Sequence, residues 1–296
     1  MSKKNKRDKK YQGPRSPKRP ENFHSFPECV KWLKKSVYII VRGRKNKIGE
    51  EEGINWITLG SGFIAAPNRY VTAAHVINNP EQGELAQHHD GDKYYFLRHD
   101  DENNWHYRIF EPKINKEIFI FPDVDLAIIY LDSEFYKVGD NIFADRNDFI
   151  RISKDFLPIG SEVGVLGYPL CKLGFQERDI NKPLIGNILL RTDQGVINCR
   201  YQFPEKSYFY EFTLAFNPGN SGGPIFDTKT GKLVSIVRGY KSIRLSEKEV
   251  VIPEEGTKKL KVYKEKAFIE TLNANYSFGF ATSTFLEIFK KHNIIN

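Results

Sequence analysis

Asn217-Pro218-Gly219-Asn220-Ser221-Gly222-Gly223-Pro224 sets one serine among three glycines in a turn between two apolar stretches. A serine hydroxyl is a weak nucleophile until a base takes its proton, and the tetrahedral oxyanion it generates on a carbonyl needs donors already in place. Glycines on both sides permit a bend with positive φ in which the amides of Gly219 and Ser221 converge on one point. Each such donor is worth roughly 2.7–4 kcal/mol to the transition state. The same glycines would also suit a plain hairpin turn, so the serine needs partners before it means anything.

A base is offered by His75, in Tyr70-Val71-Thr72-Ala73-Ala74-His75-Val76, where small residues let the imidazole sit at a strand end against backbone. The six other histidines have no comparable setting. His88 and His89 beside Asp90 and Asp92 could be drawn as a metal cluster, but in a polar stretch a solvated loop is the expected reading. An orienting acid is offered by Phe121-Pro122-Asp123-Val124-Asp125-Leu126-Ala127, since a carboxylate just before an apolar strand can sit buried at its edge and fix a histidine tautomer. Asp123 and Asp125 compete for that role; Asp123 also suits a turn after Pro122. The three cysteines, Cys29, Cys171 and Cys199, are odd in number without CxxC spacing, which argues against a disulfide framework or a zinc site and for free thiols.

The elements that would hold these residues read mostly as strands. Short runs rich in Val, Ile, Phe and Tyr, separated by Gly, Asp, Asn and Pro, fall at 36–42, 54–59, 62–65, 94–98, 105–110, 126–130, 162–166, 188–192, 196–202, 208–214, 224–226 and 233–237. This pattern predicts an antiparallel all-β barrel or sandwich. A short helix is expected over 26–35 and another at 283–291, capped by Ser283 or Thr284. Residues 79–93 and 241–270 look inserted, the latter as a projecting hairpin turning near Glu255 and Gly256.

His75 in TAAHV, Asp125 in DLAII and Ser221 in GNSGGP, in that order, resemble the trypsin-like (chymotrypsin-fold) serine peptidases. VGVLGYP, FTLAFNPGNSGGPIF, GKLVSIV and YSFGFATSTFLEIF most resemble the bacterial heat-shock-type (HtrA/Do-like) branch, over about residue 36 to the C-terminus. The resemblance implies two six-stranded antiparallel β-barrels (about 36–145 and 146–282) with the active site between them and a C-terminal helix at 283–291. It implies an endopeptidase in which Ser221 is nucleophile, His75 general base and acid, Asp125 the orienting acid, and the amides of Gly219 and Ser221 the oxyanion hole, with no metal or organic cofactor. By the same matching, Ala215 and Phe216 form the floor of the primary pocket and Val237, Arg238 and Gly239 one wall. The floor has no aspartate, so cleavage after Lys or Arg is disfavoured and a small or medium apolar P1 residue is expected, with an acidic one as the alternative through Arg238. The chain departs from the heat-shock branch in having no room for a PDZ module after its terminal helix.

Of 45 Lys+Arg and 37 Asp+Glu, nine bases and one acid lie in residues 1–20, so this stretch accounts for the whole formal charge of +8 and leaves the rest neutral. A uniformly basic, nucleic-acid-binding surface is therefore not implied. Residues 1–22 are expected to be a disordered basic arm, with the protease domain spanning 23–296. The longest apolar runs fall far short of the ~18–20 residues needed to cross a bilayer. The basic N-terminus is followed by prolines in place of an apolar stretch. A cytoplasmic location without membrane contact is expected. The expected partners are a protein or peptide substrate and a regulatory protein that relieves latency. The alternative is an inactive-protease scaffold, or a module binding nucleic acid or an anionic surface through residues 1–20.

Overall fold

The computed structural model describes residues 19–48, 51–78, 87–89, 91–99, 105–110, 116–131, 149–169, 172–174, 185–187, 189–202, 208–242, 250–253, 260–263 and 275–295. Strands β1 (Val37–Ile48), β2 (Glu51–Ala66), β3 (Arg69–Thr72), β4 (Lys93–His99), β5 (Trp105–Phe110), β6 (Ile118–Phe121) and β7 (Leu126–Tyr130) form one antiparallel sheet in the order β5-β4-β1-β2-β3-β7-β6. A second sheet is built from β8 (Glu162–Gly167), β11 (Arg191–Gln202), β12 (Tyr208–Phe212), β13 (Pro224–Asp227), β14 (Leu233–Ile236), β15 (Gly239–Ser242) and β18 (Asn275–Phe280), ordered β14-β13-β8-β11-β12-β18-β15. Two small hairpins pair β9 (Lys172–Gly174) with β10 (Ile185–Asn187), and β16 (Val250–Pro253) with β17 (Leu260–Tyr263).

The second sheet is a six-stranded unit with one strand split. There, β14 pairs with β13 and its continuation β15 pairs with β18, so the stretch 233–242 joins the two ends of the sheet order into a barrel. In the first, β5 pairs with β4 and β6 with β7, placing consecutive strands at opposite ends of the order. The expected fold class, two six-stranded antiparallel units followed by a short C-terminal helix, is the one found.

The continuous apolar runs in β1 and β7 follow from burial on both faces. Tyr38, Ile40, Ala127 and Ile129 point into the first barrel with Tyr70 and Phe96. Val37, Ile39, Val41, Leu126 and Ile128 point outward into a shared core with Tyr168, Phe226, Leu233 and Phe280 of the second barrel. A third core, holding Val163, Val165, Phe212, Ile225 and Val234, fills the second barrel. With about 1.5–3 kcal/mol per fully buried apolar side chain, the shared core fixes how the barrels face each other.

Helix α1 (Phe26–Leu33) begins where Ser25 Oγ accepts the Glu28 N–H at 3.3 Å. It packs on the second barrel, with the Phe26 ring stacked on Phe226. The chain is pinned there earlier than the expected boundary at residue 23. Arg19 is buried and donates to the carbonyls of Phe149 (2.7 Å) and Gly231 (2.8 Å). Residues 1–18 lie outside the described part. At the other end a 3-10 turn over Thr282–Phe285 leads into α3 (Leu286–Lys291). Neither Ser283 nor Thr284 caps it; the Thr284 hydroxyl instead accepts the Tyr208 N–H at 3.0 Å. No described helix is long and apolar enough to cross a membrane.

The polar stretch at 79–93 is not simply a solvated loop where it is described. Asp92 is buried and takes a bidentate pair of hydrogen bonds from Arg44 Nε and Nη2, both 2.8 Å, while His88 Nδ1 and the Tyr94 hydroxyl meet at 2.7 Å. Buried Arg42 and half-buried Arg44 on β1 demand a counter-charge, and Asp92 supplies it. No group of residues able to hold a metal occurs among the described residues.

Candidate active site

His75 lies in α2 (Ala74–Ile77), a single helical turn, three residues beyond the end of β3 at Thr72, where the sequence puts it at the strand end itself. Asp125 follows a 3-10 turn over Pro122–Val124 and adopts the left-handed conformation (φ 51, ψ 46), with its N–H bonded to Pro122 O at 3.0 Å. Aspartate tolerates that backbone better than most side chains. The twist lifts its carboxylate off β7 toward α2. Asp125 Oδ1 accepts the His75 N–H at 3.0 Å, and His75 Nδ1 lies 2.9 Å from Oδ2 and 3.0 Å from Oδ1. Of the two competing aspartates, Asp123 is exposed and Asp125 is 8% exposed. Because a carboxylate only accepts, this pairing places the imidazole proton on Nδ1 and leaves Nε2 as an acceptor.

Ser221 comes from the second barrel, in the turn before β13. The loop is tied at both ends: Gly222 N–H donates to Val237 O (2.8 Å), Val237 N–H to Gly223 O (2.9 Å), and Asn220 N–H to Asn217 O (3.0 Å). Two glycines have positive φ, Gly219 at 99 and Gly222 at 81. A β-carbon on Gly222 would lie 2.0 Å from Thr72 Oγ1, so only glycine lets the loop meet the first barrel this closely. Among the described residues the N–H groups of Gly219 and Ser221 have no hydrogen-bond partner. His75 and Asp125 are thus brought together, and Ser221 is carried on the facing loop, with no hydrogen bond between its hydroxyl and His75.

The residues matched to the pocket divide. Ala215 is exposed and Gly239 half-buried, whereas Phe216 and Val237 are packed in the core of the second barrel and bring backbone in place of side chain to any pocket there. The Ala215 N–H donates to Asp193 Oδ2 at 2.7 Å. Arg238 turns to the aspartate: its Nε is 3.5 Å from Asp125 Oδ2, and its guanidinium lies 5.1 Å from the Phe280 ring centroid and 5.6 Å from that of Phe209. Sequence reasoning identified neither this ion pair nor the bonds of Ser61 described below, because both join segments far apart in the chain.

The family model of the trypsin-like peptidase domain matches residues 60–236, more than half of the chain, and the protein belongs to that family. The match runs from the glycine preceding Ser61 to the last residue of β14. Among solved structures, the Rv3671c protease from M. tuberculosis in its active form is similar at 16% identity with a TM-score of 0.52, covering 94% of this chain and 91% of that one. A serine-to-alanine mutant of Rv3671c from M. tuberculosis H37Rv, in its inactive form, is 16% identical with a TM-score of 0.49, covering 94% and 95%. At such identity the first likeness shows a common fold.

Proposed function

We propose that the protein is a serine endopeptidase acting through Ser221, His75 and Asp125 by way of an acyl-enzyme. The observation that carries this reading is the 2.9 Å pairing of His75 Nδ1 with Asp125, which leaves Nε2 free to take a proton. Ser221 Oγ attacks the scissile carbonyl while Nε2 removes its proton; the C–N bond then breaks as His75 returns that proton to the leaving amine. A water deprotonated by His75 attacks the ester, and Ser221 leaves with the proton back on Oγ. The unpaired N–H groups of Gly219 and Ser221 are the donors for the oxyanion formed in both steps. Catalytic hydrogen bonds such as that from Ser221 to His75 often tighten only in the complex with substrate.

For specificity we favour a small or medium apolar P1 residue. The commitment of Arg238 to Asp125 and two aromatic rings speaks against its serving as an acid-selecting wall. Cleavage of a peptide library should give apolar P1 residues, and strong cleavage after Lys, Arg, Asp or Glu would reverse this. The reaction itself is tested with a fluorophosphonate probe: wild type labels, Ser221→Ala does not, and the substitution lowers kcat by roughly 10⁴- to 10⁶-fold. A wild type that stays unlabelled while a known relative reacts would sink the reading.

A further inference from the structure

Ser61, in the middle of β2, is fully buried and uses every polar group it has. Its N–H donates to Ser221 O at 2.8 Å and its hydroxyl donates to Gly219 O at 2.6 Å. The same hydroxyl accepts the Tyr168 N–H at 2.8 Å, and the Ser61 carbonyl accepts the Thr72 hydroxyl at 2.7 Å. One residue of the first barrel therefore holds the Ser221 loop at two points, the residue after β8 at a third, and the strand leading to His75 at a fourth.

The consequence lies in the peptide planes around Ser221. The plane joining Gly219 and Asn220 is held at its oxygen by the Ser61 hydroxyl and at its nitrogen by Asn217 O. The plane joining Ser221 and Gly222 is held at its oxygen by the Ser61 N–H and at its nitrogen by Val237 O. Between them, the Asn220 carbonyl accepts the Gly223 N–H at 2.8 Å, which leaves the Ser221 N–H as the one unpaired group in the set. Glycine at 219, at φ 99, could rotate the flanking planes at little steric cost, so a bond to its carbonyl is what selects one orientation. The surroundings are cleared for this contact: a β-carbon on Gly60 would sit 2.8 Å from Ser221 O, and one on Gly167 would sit 2.6 Å from Asn220 Oδ1 and 3.2 Å from Ser61 Oγ.

We propose that Ser61 is a positioning residue for peptide hydrolysis, its hydroxyl and N–H together aiming the amides of Gly219 and Ser221 at the oxyanion. The proposal rests on the peptidase reading. Ser61 touches no reacting atom and acts through the loop it holds. Removing one oxyanion donor outright costs about 10²–10³ in kcat, so Ser61→Ala, which misaims a donor without deleting it, should lower kcat by roughly 10- to 100-fold. KM should stay within about threefold, because the contact matters only once the oxyanion forms. A peptide boronate, whose tetrahedral adduct places an oxygen in the same position, should lose affinity by a similar factor. Ser61→Thr keeps the hydroxyl and should recover most of both.

Thermal unfolding of each variant accompanies the kinetics, and Ser61→Cys, close in shape but a weak donor, serves where the alanine variant does not fold. A folded variant lacking the hydroxyl, with wild-type kcat and wild-type boronate affinity, overturns the proposal. So does a loss in KM alone. A wild type that reacts with neither phosphonate nor boronate overturns the peptidase reading and this inference with it, whereas a reactive wild type with an indifferent Ser61→Ala overturns only the latter.

Discussion

Asp125 meets His75 through three contacts of about 3 Å, two to the ring nitrogen and one to the backbone N–H, and it does so from a left-handed backbone that few residues adopt. Replacing it by asparagine would keep the shape and the left-handed turn, but the amide would offer a donor where Nδ1–H needs an acceptor. The imidazole would then favour the wrong tautomer. Asp125→Asn should lower kcat about 10⁴-fold while leaving the fold intact; steady-state hydrolysis with near-ultraviolet circular dichroism checks both, and a loss below tenfold would remove Asp125 from the proposed chemistry. The pairing of His75 with Asp125 was legible because each sits in a short motif whose neighbours serve it locally. The residues alone left Asp123 and Asp125 open, since that choice depends on the turn at Pro122–Val124, and only the resemblance through DLAII favoured Asp125. The hydrogen bond of Ser61 to Gly219 spans 158 positions and leaves no local trace.

Glycine misled the reading of two strands for a common physical reason. Gly60 seemed to end a strand, yet β2 runs through it for 16 residues, and Gly195 seemed to separate two strands that are one, β11. Neither glycine makes a turn. At Gly60 the absent β-carbon admits Ser221 O, and at Gly195 it admits Thr213 Oγ1, 2.5 Å from where that carbon would stand, at the point where β11 stops pairing with β8 and begins pairing with β12. Close approach between distant segments is indistinguishable from turn chemistry in a single sequence. Charge misled similarly at Asp92. Burial alone would raise its carboxyl, but hydrogen bonds from Arg44 and the His89 N–H, with the charges of Arg44 and Arg42, outweigh it and hold the group below its ordinary 3.8. A depressed acid stabilises the fold above 3.8 and loses that contribution as pH falls through its folded value. Asp92→Asn leaves Arg42 buried without its counter-charge and should cost about 3–5 kcal/mol at neutral pH. Denaturant titrations at pH 7 and pH 3 should show the gap between wild type and variant narrowing in acid; an equal gap at both would contradict the ion pair.

Both ends of the described chain tie the barrels together from outside. From the C-terminal side, α3 leaves the second barrel and delivers His292 to the first, where Arg69 Nε donates to its carbonyl at 2.9 Å and its Nδ1 meets the Tyr130 hydroxyl at 2.7 Å. From the N-terminal side, residues 19–33 lie on the second barrel before β1 enters the first: the Phe23 N–H donates to Lys229 O at 2.7 Å, and Arg19 holds the carbonyls of Phe149, in the link between barrels, and Gly231. This redraws the charge division. Residues 1–18 hold eight bases and one acid, a net +7, and Arg19 contributes its charge to the body as a buried structural donor. Arg19→Ala would strip the carbonyls of Phe149, Thr230 and Gly231 of this donor, costing about 2–4 kcal/mol and lowering Tm by roughly 2–4 °C for each kcal/mol. Deleting residues 1–18 should leave Tm and hydrolysis of a small chromogenic peptide unchanged, because the Arg19 tie and the proposed catalytic residues lie outside them, whereas deletion through residue 20 should reproduce the loss seen in Arg19→Ala. Calorimetry on the three variants separates the cases. If the deletion ending at residue 18 were as destabilising as the one ending at residue 20, or if Arg19→Ala melted with wild type, the N-terminal tie would not be the Arg19 contact.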